Sequence, residues 1–183
     1  MNKKDSILLA ALHLLSTRGV HDTPMSAVAK VAGTGMGTIY NYFPTKDILI
    51  NEIYTYIKQQ EAAVFIPFVA DQPIKPQFEF YFQSIITFFN DNIVYFQFME
   101  QLQASPIITE ESKQTGITAI QPVYELIAKG QKDGFIKDIE TGELLQFIGG
   151  AILSFLRNYT SANQLEKPIV SNYINMSWDA IKV

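Results

Sequence analysis

The sequence has no cysteine and only two histidines among its 183 residues. Without cysteine, neither disulfide bonds nor a thiolate-ligated zinc site can form. Two histidines also argue against a histidine-rich catalytic metal site. We therefore expect no metal and no cofactor, and the lack of cysteine agrees with a protein that stays in the cytoplasm.

Apolar runs long enough to span a membrane are missing as well. The run at residues 7–15 follows Lys3 and Lys4 and superficially resembles a signal peptide. Asp5 and His13 interrupt that pattern, however, and no small-residue cleavage site follows it. We expect neither secretion nor a membrane partner.

Motifs typical of enzymes are absent too: there is no nucleophile elbow, no metal-binding histidine pair and no phosphate loop. Gly33, Gly35 and Gly37 superficially resemble a dinucleotide-binding loop. In that motif the third glycine comes one position later, and a strand precedes the loop, whereas here a helical pattern precedes it. The sequence therefore favours a protein that is not an enzyme.

Charge is unevenly distributed along the chain, whose formal net charge is −4. Residues 1–50 contain five basic and three acidic side chains, so the remaining residues hold an excess of acidic ones. A basic end on an acidic protein is the asymmetry expected when only that end contacts nucleic acid.

Helical periodicity extends along the chain and predicts an all-α fold of about nine helices. The first helix is expected over Lys3–Arg18, with Gly19 as its left-handed stop, and the second begins at Thr23-Pro24. Gly33-Thr34-Gly35 is the expected turn before a short helix from about Met36 to Phe43. Further helices are expected at about 45–64, 77–92, 93–103, 110–132 with a bend at Pro122, 141–159 and 168–182.

A helix as short as the third is not stable alone, so its neighbours must hold it and its presentation must serve a purpose. Residues 5–50 resemble the N-terminal region of the TetR family of transcriptional regulators. The matching positions are Ile7-Leu8, Ala10-Ala11-Leu12, Leu14-Leu15, Gly19, Val28-Ala29, Ala32-Gly33, Gly37, Tyr40, Tyr42-Phe43, Lys46 and Leu49. Two positions depart from the family pattern: Thr34 replaces a small aliphatic residue, and Gly35 replaces a serine that commonly caps the recognition helix.

The resemblance implies a three-helix helix-turn-helix DNA-binding domain at residues 1–48 and a helical effector-binding and dimerisation domain at 49–183. It also implies that Tyr40, Tyr42 and Lys46 hold the DNA backbone. Phenol hydroxyls and an ammonium suit phosphate, and amide, hydroxyl and thioether groups suit base edges. The residues expected to face base edges are Met36, Gly37, Thr38 and Asn41, and Thr23, Thr34 and Gly35 complete the expected DNA-binding set. Phe43 is expected to pack inside, and Tyr40 to serve both roles.

The second domain is expected to bind a small apolar or aromatic effector, because aromatic side chains are concentrated there with few charges. Nine of the 13 phenylalanines lie between Phe65 and Phe98. The candidate ligand-binding residues are Phe82, Phe89, Phe96, Met99 and Tyr124, with Gln83, Gln97 or Gln101 to orient a polar group. A close-packed core without an effector is the alternative.

By the same resemblance, the protein is expected to be a homodimeric repressor that an effector releases from a near-palindromic DNA operator. The expected dimer interface uses the last two helices, where Gly149 and Gly150 would permit close helix approach; packing within one subunit is the alternative for these glycines. The interface candidates are Phe147, Gly149, Gly150, Ile152, Leu156, Tyr173 and Trp178. The competing function is a helix-turn-helix adaptor regulated by a protein partner.

Overall fold

Helices account for nearly all regular structure in the computed structural model, which describes residues 2–103, 105–159 and 167–183. Within those ranges there is no strand, and the one bridge joins Ile136 to Lys182. The all-α expectation is thus confirmed. The described residues form ten helices: α1 (Lys3–Arg18), α2 (Met25–Val31), α3 (Met36–Tyr42), α4 (Lys46–Ala62), α5 (Ile74–Asp91), α6 (Ile93–Gln101), α7 (Glu110–Ala119), α8 (Gln121–Lys132), α9 (Thr141–Tyr159) and α10 (Lys167–Ile181).

The count differs from the expected nine because the single helix predicted at 110–132 is two helices. α7 ends at Ala119, and Ile120 leaves the helical conformation with φ −106° and ψ 20°. Pro122 then lies in the first turn of α8. Proline lacks an N–H and disfavours helical geometry in the residue before it, so it starts a new helix more readily than it bends an old one.

Helix ends follow local sequence closely. Asn2 and Asp5 form a capping box at the start of α1, and Gly19 ends that helix with φ 99°. The positive φ at Gly19 was expected, although ψ 149° places it outside the left-handed helical well, in a region that is essentially glycine-only. Gly134, with φ 75°, follows α8 in the same role.

The helices form two compact units, each built from separated segments of sequence. The first unit comprises Met1–Gln60 and Asn92–Ala119, and the second comprises Glu61–Asp91 and Ile120–Val183. These units are defined by contacts between residues and do not test the predicted boundary between a DNA-binding and an effector-binding domain at residue 48, which stays a prediction.

In the first unit α1 is the central helix, and it packs against both α2 and α6. Its buried face contains all four residues expected there, namely Ile7, Ala11, Leu14 and Leu15. Gln101 of α6 joins the two helices, because its amide donates to the carbonyl oxygens of Leu15 and Ser16 and its oxygen accepts from the Val20 N–H.

In the second unit α5 is central and packs against α8, α9 and α10. Nine of its residues are buried, which agrees with the expectation that this aromatic helix is surrounded on most sides. The Gln77 side chain holds the preceding loop through the N–H and carbonyl of Val69, at 2.9 and 3.0 Å. Among the helices of the described ranges, none has the length and hydropathy that crossing a bilayer requires.

Candidate functional site

The turn between α2 and α3 is set by backbone geometry. Gly33 has φ 58°, a left-handed conformation that glycine adopts without steric cost. The Thr34 N–H donates to the Ala29 carbonyl at 3.0 Å, which closes the turn on α2. Gly35 is extended and is the N-cap of α3, with no side-chain hydrogen bond. The turn and the glycine N-cap were both expected from the sequence.

α3 is held by one face and presents the other. Ile39 and Phe43 are completely buried, so the expectation that Phe43 packs inside is confirmed. The opposite face is open to solvent: Tyr40 is 45% exposed, Tyr42 44% and Met36 36%. Gly37 and Asn41 are exposed as well. Large apolar and aromatic side chains kept in water on a seven-residue helix indicate a surface that contacts a partner.

Two lysines flank this exposed face. Lys46 is the first residue of α4, which Thr45 caps by accepting a hydrogen bond from the Ile48 N–H at 3.1 Å. The ammonium of Lys3 donates to the Gly33 carbonyl at 3.2 Å, so a second positive charge lies beside the turn. The sequence reasoning missed Lys3, because only the folded chain brings α1 next to this turn.

Lys4 has a different environment from Lys3. Its ammonium forms an ion pair with Glu52 at 2.9 Å and lies 5.7 Å from the centre of the Phe43 ring. The charge of Lys4 is therefore paired within the protein. Of the two lysines, Lys3 is the one that lies beside the turn.

Thr23 does not belong to the exposed face. Its side chain is completely buried, and its hydroxyl donates to the carbonyls of Leu14 and Gly19. Pro24 occupies the N-cap position of α2 and Met25 is the first helical residue, one position later than expected. Thr23 thus joins α1 to the start of α2, and the expectation that its side chain contacts DNA is corrected.

The second unit contains a cavity of about 200 Å³. Its walls come from α5, α8 and α9, from the last turn of α4 and from the segment between α4 and α5, and they are almost entirely apolar. Phe82 and Phe89, two of the five expected ligand-binding residues, lie in the wall. The lining residues are Glu61, Phe65, Phe78, Tyr81, Phe82, Ile85, Phe89, Ile120, Val123, Leu145, Ile148, Gly149, Ile152 and Leu153.

The other expected ligand-binding residues lie elsewhere. Phe96 and Met99 are in α6, which belongs to the first unit, and Tyr124 is not in the cavity wall. Gln83 and Gln97 are exposed, while Gln101 hydrogen bonds to the end of α1. Aromatic composition placed all these residues in one domain, but the chain passes from one unit to the other at Asn92 and back at Ile120.

The expected dimer residues divide into inner and outer positions. Leu156 and Trp178 are buried within one chain, and Gly149 and Ile152 line the cavity. Tyr173 is half-buried beside the rings of Phe155 and Tyr159. Consecutive helical residues point about 100° apart, so Gly149 faces inward while Gly150 is exposed. On the outer side, Phe147 is 53% exposed, and so is Met176 at 58%, which the sequence reasoning had missed.

Family models match almost the whole chain. The model described as "Bacterial regulatory proteins, tetR family" matches residues 7–53, and "Tetracyclin repressor-like, C-terminal domain" matches residues 53–183. The uncharacterized HTH-type transcriptional regulator YhgD of Bacillus subtilis (strain 168) is 28% identical over 142 residues, which are 78% of this chain and 70% of that protein. An uncharacterized HTH-type transcriptional regulator of Haemophilus influenzae is 28% identical over 97% of this chain and 95% of its own length.

Solved structures of low sequence identity share the fold. A tetR family transcription regulator from Shewanella sp. PV-4 has a TM-score of 0.91 at 24% identity, with both chains covered completely. A TetR family regulator from Marinobacter aquaeolei VT8 has a TM-score of 0.86 at 19% identity, covering 98% of this chain and 95% of its own. With the helix-turn-helix geometry and the family matches over residues 7–183, these findings show that the chain belongs to the TetR family, whose members are DNA-binding transcriptional regulators and not enzymes.

Proposed function

We propose that the protein is a homodimeric repressor that binds a near-palindromic operator through α3 and leaves it when a small molecule occupies the cavity of the second unit. The observation that supports this most directly is the geometry of α3. Two buried side chains hold the helix, and its exposed face combines aromatic, amide and hydroxyl groups of the kinds that read DNA. Operator DNA lies in the cytoplasm, so we place the protein there.

For the DNA contacts, we propose that Tyr40, Tyr42 and Lys46 bind phosphates. Lys46 is next to the free amides at the start of α4, where the helix dipole also attracts an anion. Lys3 joins them as a further phosphate contact, because its ammonium lies beside the turn. The residues that face base edges are Met36, Gly37, Thr38 and Asn41. In the turn, Thr34 and Gly35 approach the sugar-phosphate backbone of the DNA.

For the effector, the supporting observation is a cavity with apolar walls inside the second unit. A ligand lowers operator affinity only as far as it prefers the conformation that does not bind DNA. Operator affinity measured at increasing ligand concentration should therefore fall to a limit. That limit is set by how much more tightly the ligand binds the conformation that does not bind DNA.

For the dimer, we propose that the outer sides of α9 and α10 meet their copies in the partner. Phe147, Gly150 and Met176 are the exposed residues that support this choice. Phe147→Glu should raise the dimer dissociation constant measured by sedimentation. Phe135→Glu is the matched control, because Phe135 is equally exposed, at 57%, but lies outside both helices. Equal effects of the two substitutions would argue against this interface.

The test of the DNA proposal begins with selection of bound fragments from the source genome, which gives the operator. Lys46→Ala should then weaken binding about equally on all sequences and reduce the salt slope by about 2, because each subunit of the proposed dimer loses one phosphate contact. Asn41→Ala should instead change which base is preferred at one position of each half-site. If neither substitution alters binding to the selected operator, the assigned roles are wrong.

A further inference from the structure

Methionine is the only sulfur-containing residue type in this chain, because there is no cysteine. A peroxide that meets the protein therefore finds no thiolate to oxidise first, and the methionine thioethers become its sulfur targets. The five methionines are Met1, Met25, Met36, Met99 and Met176, of which Met1 lies outside the described residues. How readily each one reacts depends on how well solvent reaches its side chain.

The four described methionines differ in exposure. Met25 is buried and Met99 is half-buried, so the packed helices shield both side chains. Met36 and Met176 are exposed, at 36% and 58%. Met36 is the first residue of α3, and Met176 lies in α10 of the second unit. A dissolved peroxide can thus reach Met36 without any opening of the fold.

The position of Met36 makes a change in its polarity important for binding. It begins the exposed face of α3, on which Gly37, Tyr40 and Asn41 are also open to solvent. An apolar side chain at a base edge suits the methyl group of thymine. Oxidation converts the thioether into a sulfoxide, a polar group whose oxygen accepts hydrogen bonds. Held against a methyl group or an acceptor atom of a base, that oxygen would lose water without gaining a donor.

We propose that Met36 is an oxidation site at which a peroxide lowers the affinity of the protein for its operator. With hydrogen peroxide, the O–O bond breaks, an S–O bond forms at the Met36 sulfur, and the other oxygen leaves as water. The sulfur is oxidised by two electrons, and the peroxide is reduced by two. Methionine sulfoxide reductases reverse the reaction, with one enzyme for each sulfoxide epimer. The proposal rests on the proposed contact between α3 and DNA, and it adds a second signal that releases the operator.

The first measurement is the rate of oxidation at each methionine. The full-length protein is treated with hydrogen peroxide in the presence of a metal chelator, and peptide mass spectrometry locates each added oxygen atom. We expect Met36 to be oxidised well before the buried Met25. Operator DNA should slow the reaction at Met36 and leave the rate at Met25 unchanged, because bound DNA would cover α3. If Met36 reacted as slowly as Met25, the proposal would be overturned.

The second measurement is operator affinity before and after oxidation, with each variant compared only with its own untreated sample. The unsubstituted protein should lose about tenfold in affinity, the size expected for one lost base contact. Both reductases together should restore that affinity. Met36→Leu keeps an apolar side chain but has no sulfur, so peroxide should change its affinity little. Met176→Leu is the matched control, because it removes the other exposed thioether and should leave the loss as large as before.

A further variant imitates the oxidised side chain without any oxidant. Met36→Gln places a polar side chain of similar length at the start of α3, and it should lower operator affinity about as much as oxidation does. Thermal unfolding of the treated, untreated and substituted proteins checks that each sample is folded. A folded Met36→Gln protein with full operator affinity would contradict the proposal.

Two other results would also overturn it: a Met36→Leu protein that loses as much affinity on oxidation as the unsubstituted one, or full affinity when Met36 is completely oxidised. Lys46→Ala and Asn41→Ala, measured on the same operator, separate this failure from that of the proposed function. If they alter DNA binding and oxidation of Met36 does not, α3 still binds the operator and only the oxidation site fails. If none of these changes alters binding, the proposed DNA-binding surface fails as well.

Discussion

Helix α3 in the first unit and the cavity in the second unit use aromatic side chains in opposite ways. In the first unit, α3 keeps Tyr40 and Tyr42 in solvent while one fully buried phenylalanine, Phe43, holds the helix from behind. In the second unit, Phe78 and Phe82 are at most 2% exposed and line a cavity. An outward surface suits a large, rigid partner such as DNA, and an inward one suits a small molecule that must lose its water.

The difference shows that a concentration of aromatic residues does not by itself indicate what they do. A surface for recognition requires firm anchoring, because a mobile helix would spend binding free energy on becoming ordered. A cavity also requires rigid walls, but these walls must leave their centre unfilled.

The largest expected effect comes from the anchor of α3. Phe43→Ala should lower the free energy of unfolding by about 3–5 kcal/mol, because it removes a completely buried ring. Tyr42→Ala, at the neighbouring exposed position, should change stability by only about 0.5 kcal/mol but still weaken DNA binding. Urea unfolding followed by circular dichroism, together with operator affinity, separates the two. If the two substitutions lowered the free energy of unfolding equally, the division of this region into a buried and an exposed side would be contradicted.

The next effect concerns two buried or half-buried hydrogen-bond networks, each centred on one glutamine side chain, with one network in each unit. Gln101→Ala leaves the Val20 N–H and two carbonyls at the end of α1 without this partner, and Gln77→Ala does the same around Val69. Each should cost about 1–3 kcal/mol. The exposed Gln97→Ala is the control, with little change expected. Because each glutamine supports its own unit, Gln101→Ala should lower operator affinity and Gln77→Ala should lower ligand binding in the cavity; the reverse outcome would contradict this.

A smaller effect distinguishes two glycines of the helix-turn-helix. A β-carbon at Gly33 or Gly37 would meet no atom within 4 Å, so only backbone conformation decides the effect on folding. Gly33→Ala should destabilise by about 1–2 kcal/mol, because φ is positive there. Gly37→Ala should stabilise α3 by about 0.5–1 kcal/mol. It should nevertheless weaken DNA binding if Gly37 lets the helix approach the bases closely. A Gly37→Ala variant that is more stable and binds DNA normally would remove Gly37 from the interface.

The smallest effect is a pH dependence at tyrosines whose hydroxyls are not in open solvent. Burial, followed by the hydrogen bond and charge of Tyr56, raises the pKa of Tyr95 from 10.0 to about 12. Because the folded pKa is the higher one, the stabilisation is fully present below about pH 10 and is lost as the pH rises toward 12. Titration of tyrosinate absorbance should show a late-ionising tyrosine that is missing in Tyr95→Phe. An unchanged late phase in that variant would assign it elsewhere, with Tyr81 the candidate in the second unit.

Elements governed by neighbouring residues were predicted well. The bounds of α1 and α9 agree with the approximate bounds expected from the sequence, and the turn at Gly33 and the Thr45 cap were expected as well. Caps, glycine stops and helical periodicity depend on residues only a few positions apart, so they are readable in order along the chain. The errors came where distant residues decide. Nothing near Phe96 in the sequence indicates that α6 packs against α1 instead of lining the cavity.

The sequence by itself determined the all-α fold, the short third helix with its turn, and the family, because these depend on local spacing and residue type. Only the tertiary structure decided which side chains share a space: that Thr23 is buried, that Lys3 meets the turn, and that Gly149 faces inward while Gly150 faces out. The free energy that an aromatic or small residue gains on burial is similar against many different partners, so the residue type does not specify which partner it packs against. That choice is made by how the helices pack, which no short stretch of sequence contains.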